Sequence, residues 1–294
     1  MEIALKESRS ILTPQKAGVL ASGPYPFTHA LSDYIGCGFG QTTCGMYCYA
    51  QFLPSWTFSG FAAPWGQAVQ VKENAPQLLE QTLRRMRPAE RRKLRIFMSS
   101  TTDPYQPLEN KYQITRRCLE VFARYPDLDL LQIQTRSPLA ERDFDLMAQI
   151  PYLWLSITIE TDDQDYLKSL KGGPLLEKRW SLTNAASQAN LQTQITVSPC
   201  LPYTSIEAFG QRLIASGARR LIVDTIVDGD GSGGGRTARS PFGKVADWRE
   251  TEHAHKLYTY LEKKTADTAI EAAWSVPGFC GIQPRTIQGE LFAG

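Results

Sequence analysis

The chain has 294 residues, 42% hydrophobic and 21% charged, with Lys and Arg (32) exceeding Asp and Glu (30) by two. That length buries a sizeable core in one large domain, or in one with a small appendage, and the near-neutral charge neither demands nor excludes a polyanionic partner. No run approaches the roughly 18 apolar residues of a membrane helix, and MEIALKESRS at the start lacks the apolar core of a signal peptide; a cytosolic protein without a disulfide framework is expected.

In chain order, ALSDYIG (30–36) is the first predicted strand. It runs into CGFGQTTCGMYCYAQ (37–51), which holds three of the six cysteines. A long aromatic loop follows (51–76), with Trp56, Phe58 and Trp65 as a candidate apolar wall. The basic run LRRMRPAERRKLR (83–95) reads as a solvated helix face before a strand, in preference to a nucleic-acid contact. Five further runs rich in apolar and β-branched residues read as strands: 94–100, 128–135, 152–160, 191–198 and 219–227. Amphipathic stretches at 110–125, 138–150 and 174–190 separate them. The runs are too continuously apolar for a half-wet sheet. Six such strands predict an α/β fold built as an open or partial (β/α)6 TIM-type barrel, with a doubly wound sheet as the alternative. Both architectures put chemistry at the carboxyl ends of the strands, where the cysteine run begins. The expected organisation is an N-terminal extension (1–29), a core (30–228), and a C-terminal extension (229–294) of glycine-rich loop, helix and irregular tail. The glycine stretch (227–241) lacks apolar anchors and reads as mobile, and a charged helix is expected over 244–264.

Cys118 falls on the apolar side of a helical pattern and reads as core, and Cys200 and Cys280, isolated near prolines and glycines, read as structural. Soft thiolates select zinc, copper(I) or iron–sulfur centres, and three of them cannot complete a structural zinc site unaided. No histidine lies close in sequence: His29 precedes a strand, and His253 and His255, two apart on a predicted helix, point to different faces. A three-cysteine iron–sulfur cluster with one open iron fits better than zinc.

The run YIGCGFG…CGMYCYAQ resembles the radical S-adenosylmethionine (radical SAM) superfamily, and within it the spore photoproduct lyase branch. Further segments resemble that branch in the same order: WGQAVQVKENAPQLL (65–79), SSTTDPYQPLE (99–109), QTRSPLAERDFDLM (134–147) and SITIET (156–161). The likeness spans about residues 33 to 203, and its segments are specific jointly rather than singly. The spacing departs from the superfamily's three-then-two: six residues separate Cys37 from Cys44 and three separate Cys44 from Cys48, as if QTT and one position of GMY were inserted.

The resemblance implies a 4Fe-4S cluster on Cys37, Cys44 and Cys48, with S-adenosylmethionine on its fourth iron, cleaved reductively to a 5'-deoxyadenosyl radical that abstracts hydrogen from a substrate. It assigns Tyr47 to the adenine side and Tyr49 to the cluster side. Ser99, Ser100 and Thr101 fall to the methionine amino group, Arg136 to the carboxylate, and Ser156 and Glu160 to the ribose hydroxyls. It implies an electron donor such as flavodoxin or ferredoxin. The branch's hydrogen-donor cysteine aligns with Ser100, whose O–H bond is too strong for that role, so repair of a thymine dimer is not expected unless Cys200 serves instead. A small molecule or peptide is the favoured substrate. A radical SAM enzyme of nucleic-acid modification or repair, and a non-catalytic iron–sulfur or zinc protein, are the alternatives.

Overall fold

The computed structural model describes residues 1–98 and 100–285. Its strands are β1 (Glu2–Lys6), β2 (Leu12–Pro14), β3 (His29–Leu31), β4 (Tyr34–Ile35), β5 (Ala68–Lys72), β6 (Arg95–Met98), β7 (Leu130–Thr135), β8 (Leu153–Thr158), β9 (Thr193–Val197), β10 (Arg220–Val223) and β11 (Glu271–Trp274). The main sheet has eight strands in the order β11-β10-β9-β8-β7-β6-β3-β2. Every neighbouring pair is parallel except β2 with β3. A small second sheet, β1-β5-β4, lies alongside. The result is a mixed α/β fold rich in parallel strands, whose sequence runs are apolar because helices such as Ala75–Arg85, Ile114–Ala123 and Leu176–Gln188 cover them.

Several elements differ from the sequence expectation for identifiable reasons. The first predicted strand is split. Asp33 interrupts it, buried with its Oδ2 accepting from the Thr115 hydroxyl (2.6 Å), so that β3 joins β6 in the main sheet while β4 turns away to β5. In the tail, EAAW forms β11 on the edge of β10. Two alanines carry little strand propensity, and the strand exists because the exposed edge of β10 recruits it. The glycine stretch is also organised, not unanchored. The buried Asp230 carboxylate accepts from the amides of Ser232, Gly234 and Thr237 and from the hydroxyls of Ser232 and Thr237, at 2.7–3.1 Å. Phe242 just beyond it is buried. The following helix starts later than expected, at Glu252. Gln113, in the left-handed region at φ 50°, divides the 110–125 stretch into two helices.

The basic run at 83–95 lies at the amino end of β6, and two of its arginines serve structure. Arg91 pairs with Asp127 (2.8 Å) and donates to the carbonyls of Leu83 and Met86, capping the preceding helix. Arg95 is buried, paired with Asp129 (2.6 Å) and bonded to the carbonyl of Ile282, which fastens the tail under the sheet. Cys118, Cys200 and Cys280 are all buried, as expected.

Below the carboxyl ends of the strands lies a buried polar knot. Glu109, fully buried, accepts from the Tyr34 hydroxyl (2.5 Å), the Thr115 amide (3.0 Å) and the Arg142 guanidinium (2.8 Å). Asp33 sits beside it, and burial, reinforced by the Glu109 charge, raises its carboxyl to about 7. An acid raised in the folded state holds its proton in N after losing it in U, so it withdraws stability as pH rises from about 4 to about 7. Asp33→Asn, which keeps an acceptor for Thr115, is therefore expected to flatten that fall. The check is urea unfolding of both proteins across this window. A wild-type-minus-variant difference that does not change with pH would contradict it.

Candidate active site

The cysteine loop faces the carboxyl ends of β6 to β10 across a cavity of ≈ 140 Å³, and Cys37, Cys44 and Cys48 all line it. Local chemistry explains why the loop sits there. After β6 the chain sends Thr102 and Gln106 back to clamp both sides of Cys37: the Thr102 hydroxyl donates to the Gly36 carbonyl (2.7 Å), and Gln106 Oε1 accepts from the Gly38 amide (2.7 Å). Cys44 lies in the short helix Thr43–Tyr47 and Cys48 directly follows it. The loop crosses itself where Gly45 meets Gly40; a Cβ on Gly45 would lie 1.9 Å from the Gly40 carbonyl oxygen, so only glycine fits. The QTT insertion has its own anchors. The Thr43 hydroxyl donates to the Leu167 carbonyl (2.9 Å) and the Thr43 amide to the Gly172 carbonyl (2.8 Å), joining the loop to the segment beyond β8.

The electrostatic centre is Glu160, 2% exposed. Its Oε1 accepts from Arg136 (2.6 Å) and from the Tyr47 hydroxyl (3.0 Å), and its Oε2 from Arg179 of the helix Leu176–Gln188. Burial opposes its ionisation, but the two guanidiniums outweigh it and hold the carboxyl down at about 2. Asp103 braces the other side, accepting from the Thr135 hydroxyl (2.7 Å), the Arg136 amide (2.9 Å) and the Tyr105 amide (2.9 Å). The thiols differ in kind. A hydrogen bond from Cys48 draws the Cys44 thiol down, against burial and with help from Arg136, whereas burial, with Asp103 and Cys44 nearby, pushes Cys37 up to about 12.

The sequence candidates separate cleanly. Ser100, Thr101, Arg136, Tyr47 and Tyr49 line the cavity with the three cysteines. The Tyr49 hydroxyl donates to the Ser100 carbonyl (2.5 Å), and the hydroxyls of Thr101 and Ser32 share a bond of 2.9 Å. Ser99 lies outside the described residues. Ser156 does not reach the cavity. It is fully buried within the sheet and accepts from Gln194 (3.1 Å), while Thr158, two residues on and therefore on the same face, takes the position at the rim. Glu160 stands behind the wall, engaged with Arg136 and Tyr47. Trp65 lines the cavity, with Trp56 edge-on to it (5.0 Å), but Phe58 is 85% exposed and takes no part in that wall. Lys72 is tied to the Ser32 carbonyl (2.5 Å). Trp274 packs on His255 (4.4 Å) away from the cavity lining. The Cys200 sulfur is buried in the core beside the Leu201 carbonyl.

The far wall is formed by Ser198, Thr225, Ile226, Gly229, Asp230 and Thr237; the sequence pointed to the glycine stretch as a substrate-contacting loop, and Gly229, Asp230 and Thr237 come from it, but it singled out none of the six residues. The Ser198 hydroxyl donates to Asp224 (3.3 Å), a carboxyl that burial raises to about 6. The signal available for the first three was the strand-end rule itself, since Ser198, Thr225 and Ile226 fall at the carboxyl ends of the runs 191–198 and 219–227. Among the described residues, no three of His, Cys, Asp and Glu converge on one metal-ion position. No described helix is long and apolar enough to cross a membrane.

No family model matches the chain. It is 30% identical over 175 residues to an uncharacterised protein of Methanocaldococcus jannaschii, covering 59% of this chain and 61% of that one. It is 28% identical over 182 residues to an uncharacterised protein of Mycobacterium tuberculosis, covering 60% and 51%. The matches thus span between half and two thirds of these relatives' length. The fold is similar to that of spore photoproduct lyase. One variant superposes with a TM-score of 0.61 at 13% identity, over 92% of this chain and 81% of that one. Another, with bound AdoMet and dinucleoside spore photoproduct, gives 0.58 at 12%, over 92% and 81%.

Arg179 acts on the cavity wall through Glu160 and through the carbonyl of Thr158, to which it donates (3.0 Å). Removing one partner of a buried ion network leaves the rest desolvated and undercompensated, at a cost of about 3 kcal/mol or more. Arg179→Met is expected to lose that much stability in urea unfolding at pH 7. A loss near zero would mean that Arg136 alone satisfies the carboxylate.

Proposed function

We propose that this protein is a radical SAM enzyme in which Cys37, Cys44 and Cys48 hold a 4Fe-4S cluster and S-adenosylmethionine fills the cavity beside them. The observation that carries this reading is the donor set: three thiols from one loop, all lining a single cavity at the carboxyl ends of parallel strands, next to a fixed guanidinium. The likeness of fold to spore photoproduct lyase supports it. The sheet would then be the partial barrel of that superfamily, with residues 30–228 as its core and the two extensions adding the edge strands β2 and β11.

With the cluster and S-adenosylmethionine bound, the chemistry supplied is a one-electron reductive cleavage that gives methionine and a 5'-deoxyadenosyl radical for hydrogen abstraction. The chain's own part is positioning. Arg136, held by Glu160 and by the bond of its amide to Asp103, offers its remaining N–H donors to a carboxylate. Thr101 and the Ser100 hydroxyl are acceptors for an ammonium group, and Thr158 replaces Ser156 at the ribose side. Tyr47 and Tyr49 wall the adenine and cluster sides. Ser198, its proton directed to Asp224, turns lone pairs toward the far end of the cavity.

The substrate in this reading is a small molecule or peptide. Apart from the three cluster cysteines no described thiol lines the cavity, and Cys200 is turned into the core, so a dimer-repair role has no described thiol hydrogen donor. The basic run that would favour nucleic acid sits at the opposite end of β6, partly consumed by ion pairs with Asp127 and Asp129.

Anaerobic reconstitution with iron and sulfide, reduction, and addition of S-adenosylmethionine is expected to yield 5'-deoxyadenosine from the wild type and none from Cys44→Ala. Dinucleoside spore photoproduct added to the same mixture is expected to remain unconverted. Cluster-loaded wild type that releases no deoxyadenosine would overturn the proposal in favour of a non-catalytic iron–sulfur protein.

A further inference from the structure

Strand β1, EIALK at Glu2–Lys6, is the open edge of the small sheet β1-β5-β4. It lies parallel to β5, with Ile3 beside Val69 and Leu5 beside Val71. Registered neighbours share a face of a sheet, and on this face the two valines are fully buried in the main core. One strand further out that core has ended: Ile3 is 41% and Leu5 52% exposed. With Met1 they are three of the five large apolar side chains exposed among the described residues. The Glu2 amide donates to the Gln67 carbonyl (2.7 Å), so the N–H and C=O groups of Glu2, Ala4 and Lys6 turn toward β5 and those of Ile3 and Leu5 turn outward. Among the described residues no strand pairs with β1 on that outer side. Glu2 and Lys6, at its two ends, are exposed, and neither has an ion-pair partner among the described residues.

This strand is complementary to itself turned end for end. We infer that β1 pairs antiparallel with β1 of a second copy of this chain, about a two-fold axis at Ala4. In that register each Ile3 lies opposite the other copy's Leu5, and the two residues exchange their outward N–H and C=O groups. Their side chains cover one another on the face where the core had run out. Ala4 meets Ala4 at the close, non-hydrogen-bonded position, where a small side chain fits. Glu2 faces Lys6 at both ends of the pair, on the opposite face of the sheet. Other arrangements lose these pairings: a parallel edge in register sets Glu2 against Glu2, and an antiparallel slip of two residues sets Glu2 or Lys6 against Ala4. Edge strands are ordinarily kept apart by like charges, a proline or a bulge, and β1 has none of these. Pairing joins three strands from each copy into one sheet whose outermost members are the two β4 strands, each ending two residues before Cys37. A contact between two such short strands is smaller than the about 1,200 Å² at which standard interfaces begin, so the dimer is reversible and concentration-dependent.

Sedimentation velocity of the full chain over a range of concentrations tests this. The wild type is expected to pass from the mass of one chain toward that of two as concentration rises. Leu5→Pro removes an outward N–H and leaves the bonds to β5 in place, so it is expected to stay a single chain with the wild-type circular dichroism. Glu2→Lys and Lys6→Glu each set like charges opposite one another at both ends of the pair, and each is expected to weaken the dimer about tenfold or more. An equimolar mixture of these two variants restores opposite charges at both ends and is expected to dimerise as the wild type does, which also shows that both fold. A wild type that remains a single chain at millimolar concentration would overturn the inference. So would a dimer indifferent to Leu5→Pro, which puts the contact on another face, or a mixture no better than its components, which rejects the antiparallel register.

Discussion

A single buried carboxylate, Glu160, holds the site together. It joins four parts of the chain that are distant in sequence: the exit of β8 that carries it, Arg136 from the end of β7, Arg179 from the helix packed on the sheet, and Tyr47 from within the cysteine loop. Two guanidiniums around one carboxylate leave an excess of positive charge in a dry place. Of the two, Arg136 is the member that faces the cavity, with Asp103 beside it. Because both carboxylate oxygens are occupied, the arginine has no free choice of rotamer, and its orientation is inherited from the fold.

Asp103 works in the same way on the opposite side. As the residue before a proline it reads locally as a turn starter, and its bond to the Tyr105 amide is that turn. Its bonds to Thr135 and to the Arg136 amide reach another strand, and no local pattern announces them. The site is therefore built from strand-end residues whose side chains point sideways, along the rim, more than inward.

This explains what the sequence could and could not disclose. The parallel strands were legible because their burial on both faces writes continuous apolar runs, and the cysteine loop because three thiols within a dozen residues have few other uses. Strand register was not: Ser156 and Thr158 share a face, and only the height of the cavity along β8 decides which of them lines it. Nor was β11, since its alanines become a strand through the edge of β10. The glycine stretch misled by composition, because one aspartate with five donors organises it and composition does not count geometry. Arg179 carries no motif at all, and lies in a helix of ordinary pattern.

The stretched cysteine loop is pinned at its start, by Thr102 and Gln106 after β6, and in its middle, by Thr43 on the segment beyond β8. If its thiols hold the proposed cluster, the loop is in thermodynamic terms a preorganised chelate. The conformational entropy of gathering the thiols is spent when the chain folds, not when iron arrives. Folding and metal loading are then only weakly linked, in contrast to small zinc modules that are unfolded without their ion. The longer spacing, which in an unpinned loop would dilute the effective concentration of the third thiol around the first two, here carries little such penalty.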